Sequence, residues 1–276
     1  VKAPLLAVDG DSFAHRAYHA LPKQIRRAEG RPANMIVGFT NMLVGLWETE
    51  RPRAVLVAFD SLETPTYRHK ELPAYQSGRV FEDDLLEQLN LLPELVGALG
   101  FASAKAPGYE ADDFLGAIVK QEERARRRVL VATSDRDLFQ LASERTTILQ
   151  PTRGVSQIAR VGPDEVRERY GVEPRQVPDF IALRGDPSDR IPGAKGVGAK
   201  TAAALLAQYG SLEAALEAGR FPAQAKELRL YRRIATLDAS APLPPLEDHT
   251  PAWAEASALA ERWGLNQLSQ RLAARA

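Results

Sequence analysis

Short apolar runs at 5–8, 55–59, 129–132 and 147–149 are separated by longer stretches in which apolar residues recur at helical spacing. Runs of three to five residues with little polar interruption suit strands buried on both faces, and strands alternating with helices predict a mainly parallel α/β sheet. The helical pattern covers about 33–50, 83–99, 109–127, 164–170 and 177–183. Beyond Gly162 no further run reads as a strand, so an α/β part over 1–161 is expected to precede a helical part over 162–276. In that second part, 242–251 is proline-rich and reads as extended, and 252–271 reads as one helical tail that packs back on the body.

Composition narrows the class without naming a chemistry. The 276 residues are 45% hydrophobic, enough to bury the core of one or two domains. There is no cysteine, no apolar run long enough to span a bilayer and no secretory leader pattern, which argues against a disulfide scaffold or a membrane and for a cytoplasmic address. The chain opens on Val1, which reads as a piece trimmed or excised from something longer. Thirty-six basic residues balance 36 acidic ones, so the protein is not a purely electrostatic nucleic-acid binder. The charges are nonetheless segregated. Basic clusters at 26–27, 51–53, 68–70, 124–128 and 195–200 would allow a basic track beside an acidic pocket.

The acids carry the chemistry. Asp9 follows LLAV, Asp60 follows VLVAF, and Asp135 and Asp137 follow VLVATS, so three strand ends bear carboxylates. In an open α/β sheet such ends converge on one crevice. Glu110, Asp112 and Asp113 stand at the start of a predicted helix, with Glu110 and Asp113 on one face. A single Asp after a strand is more often a helix cap than a ligand. Several on one crevice would repel one another unless cations lie between them. Oxygen donors without cysteine favour Mg²⁺ or Mn²⁺ over zinc, and a pair of such ions suits phosphodiester hydrolysis. Further on, GDPSDRIPGAKGVGAKT at 185–201 has the glycines and prolines of a helix-hairpin-helix, whose free amides at a helix N-terminus can hold a phosphate.

Taken in order, VDGDSFAHRAYHAL, VAFD, YRHKELPAYQSGR, PGYEADD, ATSDRDLFQL and GDPSDRIPGAKGVGAKT resemble the 5′-nuclease family, which includes the N-terminal domain of bacterial DNA polymerase I and, more distantly, the flap endonucleases. The resemblance covers about 5–216. It implies a PIN-like α/β core, a helical arch within about 63–92, and a helix-three-turn-helix over about 176–208. It implies 5′-3′ exonuclease and 5′-flap endonuclease activity on DNA ends, flaps and branched duplexes, in repair or replication, by a monomer associated with the nucleoid and not with a membrane. By position, Asp9, Asp60, Glu110 and Asp112 would hold one Mg²⁺ or Mn²⁺, and Asp135, Asp137, Asp186 and Asp189 the other. Asp113 would bridge them or back them from outside. Arg68 and Arg79 would face the scissile phosphate, and Asp9 and Asp135 are the acids on which catalysis is expected to depend most. Arg16, Lys70, Gln76, Gly193, Lys195, Gly196, Gly198, Lys200 and Thr201 would contact DNA, with K⁺ held by the hairpin carbonyls.

Four positions depart from the family pattern. Gln76 stands where a lysine is usual, a change that removes a cation worth about 2 to 4 kcal/mol of transition-state stabilisation unless Lys70 or Arg68 replaces it. His15 replaces a tyrosine, Arg190 replaces an asparagine and would pair with Asp189 or with phosphate, and Asp11 adds an acid expected on an extended end beside Asp9. These leave open an alternative: a branched-DNA binding protein with weakened or lost catalysis. A small-molecule phosphohydrolase would use the acids and leave the hairpin idle.

Overall fold

Strands β1 (Leu5–Asp9), β2 (Ala54–Ala58) and β4 (Val129–Ala132) fall on three of the apolar runs, and β5 (Thr146–Arg153) extends the fourth. With β3 (Ala102–Ala104) and β6 (Gln157–Val161) they form one sheet in the order β3-β2-β1-β4-β5-β6. The computed structural model describes residues 2–61, 63–153 and 157–276. All neighbouring strands run parallel except β5 and β6. β1 pairs with β2 on one side and β4 on the other, so the chain reverses its direction of winding at β1, and that is where an open sheet has its crevice.

Apolar residues alternate between the two faces. Leu5, Ala7, Leu56 and Val131 join one buried layer with α6 (Ala111–Arg124), and Leu6, Val8, Val57 and Leu130 join another with α1 (Gly10–Ala20) and α2 (Asn34–Glu50). Each buried Val or Leu contributes about 1.5–3 kcal/mol, which is why strands of four or five residues suffice. The first layer continues without a break into α8 (Val177–Arg184), α9 (Ala199–Tyr209) and α11 (Ala225–Ala235) through Phe180, Leu206 and Leu228. No strand follows β6 among the described residues, and the shorter helices include α3 (Tyr67–Glu71), α7 (Pro163–Tyr170) and α10 (Leu212–Glu217).

Four expectations need correction. β3 and β6 carry no apolar run: β3 is Ala-Ser-Ala, and β6 is a half-exposed edge. The stretch 83–99 is two helices, α4 (Asp83–Leu89) and α5 (Leu92–Ala98), because Pro93 in the first turn of α5 has no N–H to continue the ladder. The tail is likewise two helices, α12 (Trp253–Arg262) and α13 (Asn266–Ala273), separated where Gly264 takes φ +73°. Finally, Asp11 lies in the first turn of α1 and not on an extended end. The segment 242–251 carries neither helix nor strand, as its prolines predict.

Candidate active site

The acidic crevice is built from the end of β1 outward. Asp9 leaves the strand and caps α1: its Oδ1 accepts from Ser12 N at 2.9 Å, while its Oδ2 accepts from Thr133 Oγ1 at 2.7 Å. Capping and lining the crevice are therefore not alternatives for this residue. Gly10 follows because nothing larger fits: a Cβ there would lie 2.6 Å from the Ala58 carbonyl oxygen and 2.6 Å from the Phe59 ring. That close approach brings the ends of β1 and β2 together. Asp11 then accepts from Asp60 N at 2.8 Å, and Asp60 accepts from Ala111 N at 2.7 Å, so one chain of hydrogen bonds links both strand ends to the start of α6.

On the α6 side, Glu110 accepts from Thr66 Oγ1 at 2.9 Å and from Tyr75 Oη at 3.0 Å. On the β4 side, Asp135 Oδ1 accepts from Asp137 N at 2.8 Å, which folds the two acids into one turn. Asp186 comes from the hairpin after α8, where it exchanges backbone hydrogen bonds of 2.8 Å with Ile191 and accepts from Ser188 N at 2.8 Å. Asp9, Asp11, Asp60, Glu110, Asp112, Asp135, Asp137 and Asp186 line a single cavity of about 1010 Å³, with Arg16, Gln76, Arg79, His15 and Phe81 also on its walls.

The electrostatics are those of like charges held together. Burial, opposed by the Ser12 and Thr133 hydrogen bonds and reinforced by Asp60 and Asp135, pushes the Asp9 carboxyl up to about 7. Burial likewise lifts Asp60 to about 6 against the Ala111 hydrogen bond, with Glu110 adding to the rise. Asp11, Asp112 and Asp137 are also driven well above the ordinary carboxylate range, first by burial and then by neighbouring acids. A divalent cation would relieve all of these at once, and an all-oxygen wall suits a hard one. Among the described residues, however, no three of these acids are drawn close enough to grip an ion as they stand. The donor chemistry fits a metal centre; the spacing is that of an open wall.

Arg68 and Lys70 do not line the crevice, and Asp113 stands behind its wall. Asp113 is fully buried behind Glu110, whose backbone N–H it accepts at 3.2 Å. Arg68, expected at the phosphate, is buried against it: Nη1 and Nη2 donate to the Asp113 oxygens at 2.9 and 2.6 Å, and Nε donates to the Ile234 carbonyl at 3.0 Å. A guanidinium so far from water needs a bidentate carboxylate, and that need fixes its direction. Lys70 is exposed and does not line the crevice, so neither residue supplies the charge missing at Gln76. Asp189 stands beside the crevice, with its Oδ1 accepting from Gln76 Nε2 and Arg79 Nη2, both at 3.1 Å. Burial and Asp135 raise its carboxyl to about 6. Arg16 is fixed by donating to Ser134 Oγ at 3.2 Å and to the Pro151 carbonyl at 2.6 Å. In the hairpin, Gly193 is buried with no room for a side chain against Gly185, while Lys195, Gly196, Gly198, Lys200 and Thr201 are exposed around the N-terminus of α9. Gly10, Thr133 and Tyr75 are site residues that sequence reasoning does not single out. Of these, only Gly10, between two acids at a strand end, carries a signal.

Residues 4–171 match the profile of the 5′-3′ exonuclease N-terminal resolvase-like domain, and residues 172–257 match that of the 5′-3′ exonuclease C-terminal SAM fold. The chain belongs to the 5′-3′ exonuclease family. Among relatives of this family member, DNA polymerase I of Mycobacterium bovis is 44% identical over 218 residues, covering 78% of this chain and 24% of the polymerase. The thermostable DNA polymerase I of Thermus thermophilus is 41% identical over 213 residues, covering 77% and 25%. The chain thus spans about a quarter of the length of these polymerases. The fold is shared with T5 5′-exonuclease, solved with divalent zinc ions bound, at a TM-score of 0.72 and 19% identity over 98% of both chains. It is shared also with the catalytic core of Rad2 in complex with DNA substrate, at a TM-score of 0.63 and 16% identity over 98% of this chain and 91% of that one. No helix among the described residues is long and apolar enough to cross a membrane.

Proposed function

We propose that the chain is a structure-selective 5′ nuclease acting on DNA as a monomer, removing nucleotides from 5′ ends and cutting 5′ flaps at branched duplexes. The observation that carries this reading is the convergence of acids from the ends of β1, β2 and β4, the start of α6 and the Asp186 turn on one crevice, in a chain whose hairpin also exposes Lys195 and, at the N-terminus of α9, Lys200. Asp9, Asp60, Glu110 and Asp112 would hold one divalent ion and Asp135, Asp137, Asp186 and Asp189 the other. Two bound Mg²⁺ or Mn²⁺ ions would supply a water nucleophile at neutral pH and charge neutralisation at the phosphodiester.

The chain's own residues do the rest. Ser12 and Thr133 fix the two oxygens of Asp9, so that wall carries little rotational freedom. Arg79, with its side chain 43% exposed, is a cation on the crevice wall suited to a phosphate. The amides of Gly198, Ala199 and Lys200 at the N-terminus of α9 would take the duplex backbone without reading sequence, with K⁺ on the hairpin carbonyls as a bridge. Cleavage of a 5′-flap duplex in Mg²⁺ or Mn²⁺, by wild type and by Asp135→Ala, tests the reading. Wild type should release the flap with a 5′-phosphate on the downstream strand and Asp135→Ala should lose at least about a hundredfold. Salt-sensitive binding without turnover by wild type would instead establish a DNA-binding protein.

A further inference from the structure

Two of the residues that depart from the family pattern, Gln76 and Arg190, sit on segments that meet in the structure, each bonded to the other's neighbour. The 74–79 segment, between β2 and α4, touches the hairpin that follows α8 at one place. Gln76 N donates to the Asp189 carbonyl at 3.3 Å and Gln76 Nε2 to Asp189 Oδ1 at 3.1 Å. From the other side, Arg190 Nη1 donates to Ser77 Oγ at 3.0 Å. The expected pairing of Arg190 with Asp189 is not the one formed. Gln76 and Arg190 both take left-handed backbone conformations, with φ of 48° and 55°, where residues other than glycine are strained. Such conformations persist where the surroundings over-determine them, and here each strained residue is held by the other's segment.

We infer that Gln76, Ser77 and Arg190 form a latch between the 74–79 segment and the Asp186–Ile191 bridge, in which Gln76 is a positioning residue that sets the Asp189 carboxylate. This rests on the reading of Asp189 as a metal ligand. The chemistry of the amide matters. Gln76 Nε2 also donates to Tyr75 Oη at 2.9 Å, so its position is fixed from behind. It orients Asp189 by a neutral donor and adds no positive charge to that of Arg79, which already meets the same oxygen at 3.1 Å. An ammonium at the same place would hold Asp189 as firmly while competing for its negative charge. The latch thus holds Asp189 by a donor that adds no second positive charge, and Arg79, more exposed, is the charged partner that the carboxylate must give up to a metal ion.

Hydrogen–deuterium exchange of metal-free protein, followed in peptides spanning 74–80 and 186–192, tests the latch directly. In Gln76→Ala and in Arg190→Asn both peptides should exchange about tenfold faster, because loss of a hydrogen bond to a charged partner on either side frees both. If the 186–192 peptide of Gln76→Ala exchanges as in wild type, the latch is overturned. Calorimetric titration with Mn²⁺ tests the positioning role. Gln76→Ala should weaken one class of site about tenfold, and Gln76→Lys should restore the exchange protection while still binding Mn²⁺ more weakly than wild type. Wild-type affinity in Gln76→Lys overturns the role given to the neutral amide. Absence of any Mn²⁺ binding by wild type overturns the metal-centre reading, and the exchange result then still decides whether the latch exists.

Discussion

Arg68 separates two accounts of one residue, and Arg68→Met decides between them. The guanidinium is 3% exposed and its partner Asp113 is 0% exposed. Replacing it removes two charge-assisted hydrogen bonds from Asp113, the ion pair with Glu110 Oε2 at 3.4 Å and the donor to Ile234 O. Asp113 would keep only the N–H groups of Glu110 at 3.2 Å and Asp238 at 2.8 Å. Breaking a buried ion pair from one side costs about 3–5 kcal/mol, because the remaining charge is left uncompensated. At roughly 2–4 °C per kcal/mol, the melting temperature should fall by about 6–20 °C. The double variant Arg68→Met, Asp113→Leu removes the stranded charge and should melt well above Arg68→Met alone, since apolar replacement of both partners is often close to neutral. Thermal melting by circular dichroism, in chelator to keep metal binding out of the comparison, reads both effects. An Arg68→Met protein that melts with wild type but loses flap cleavage a hundredfold would refute the buried-pair account and return Arg68 to the phosphate.

Metal-free protein should lose stability as pH rises from about 4 to about 7. Asp9 and Asp60 have folded-state pKa values raised to about 7 and about 6, so the folded chain holds protons that the unfolded chain releases, and their contribution is present at low pH and lost through this window. For Asp9 alone the loss is on the order of 4 kcal/mol at 1.36 kcal/mol per unit. Millimolar Mg²⁺ or Mn²⁺ at pH 8 should reverse it, and a melting temperature in chelator that is flat or rising over this range would contradict the repulsive wall. Gly10→Ala should cost about 1–3 kcal/mol by overpacking against Ala58 and Phe59, and should weaken metal binding by spreading Asp9 from Asp60, measured by melting and Mn²⁺ titration together. Lys195→Ala, Lys200→Ala should lower flap-duplex affinity and reduce the salt slope of binding by up to about two, one for each phosphate no longer neutralised; an unchanged slope would remove the α9 terminus from the interface.

The sheet was legible where burial on both faces leaves uninterrupted apolar runs, as in β1, β2 and β4. β3 was not, because Ala102, Ser103 and Ala104 gain their strand conformation from pairing with β2 and not from their own pattern. The candidate site divides the same way. Acids at strand ends announce themselves, since position after a buried run fixes where the side chain emerges. The partners that orient them do not: Thr133 and Tyr75 look like any buried polar residue until the fold brings them to Asp9 and Glu110. Arg68 shows the opposite failure. Its place in a motif suggested the phosphate, but a motif records position along the chain and says nothing about which way a long side chain turns once Asp113 is within reach.

Asp9 serves one helix with Oδ1 and faces its fellow acids as a charge. Asparagine would serve the helix as well, since it caps as effectively, and would carry no charge into the crowd. Selection of this chain for heat resistance alone, with no demand for turnover, should therefore enrich Asp9→Asn and Asp60→Asn as improvements. A library screened that way would drift toward sturdier proteins with a less acidic crevice, and the wild-type carboxylates would register as defects of the scaffold.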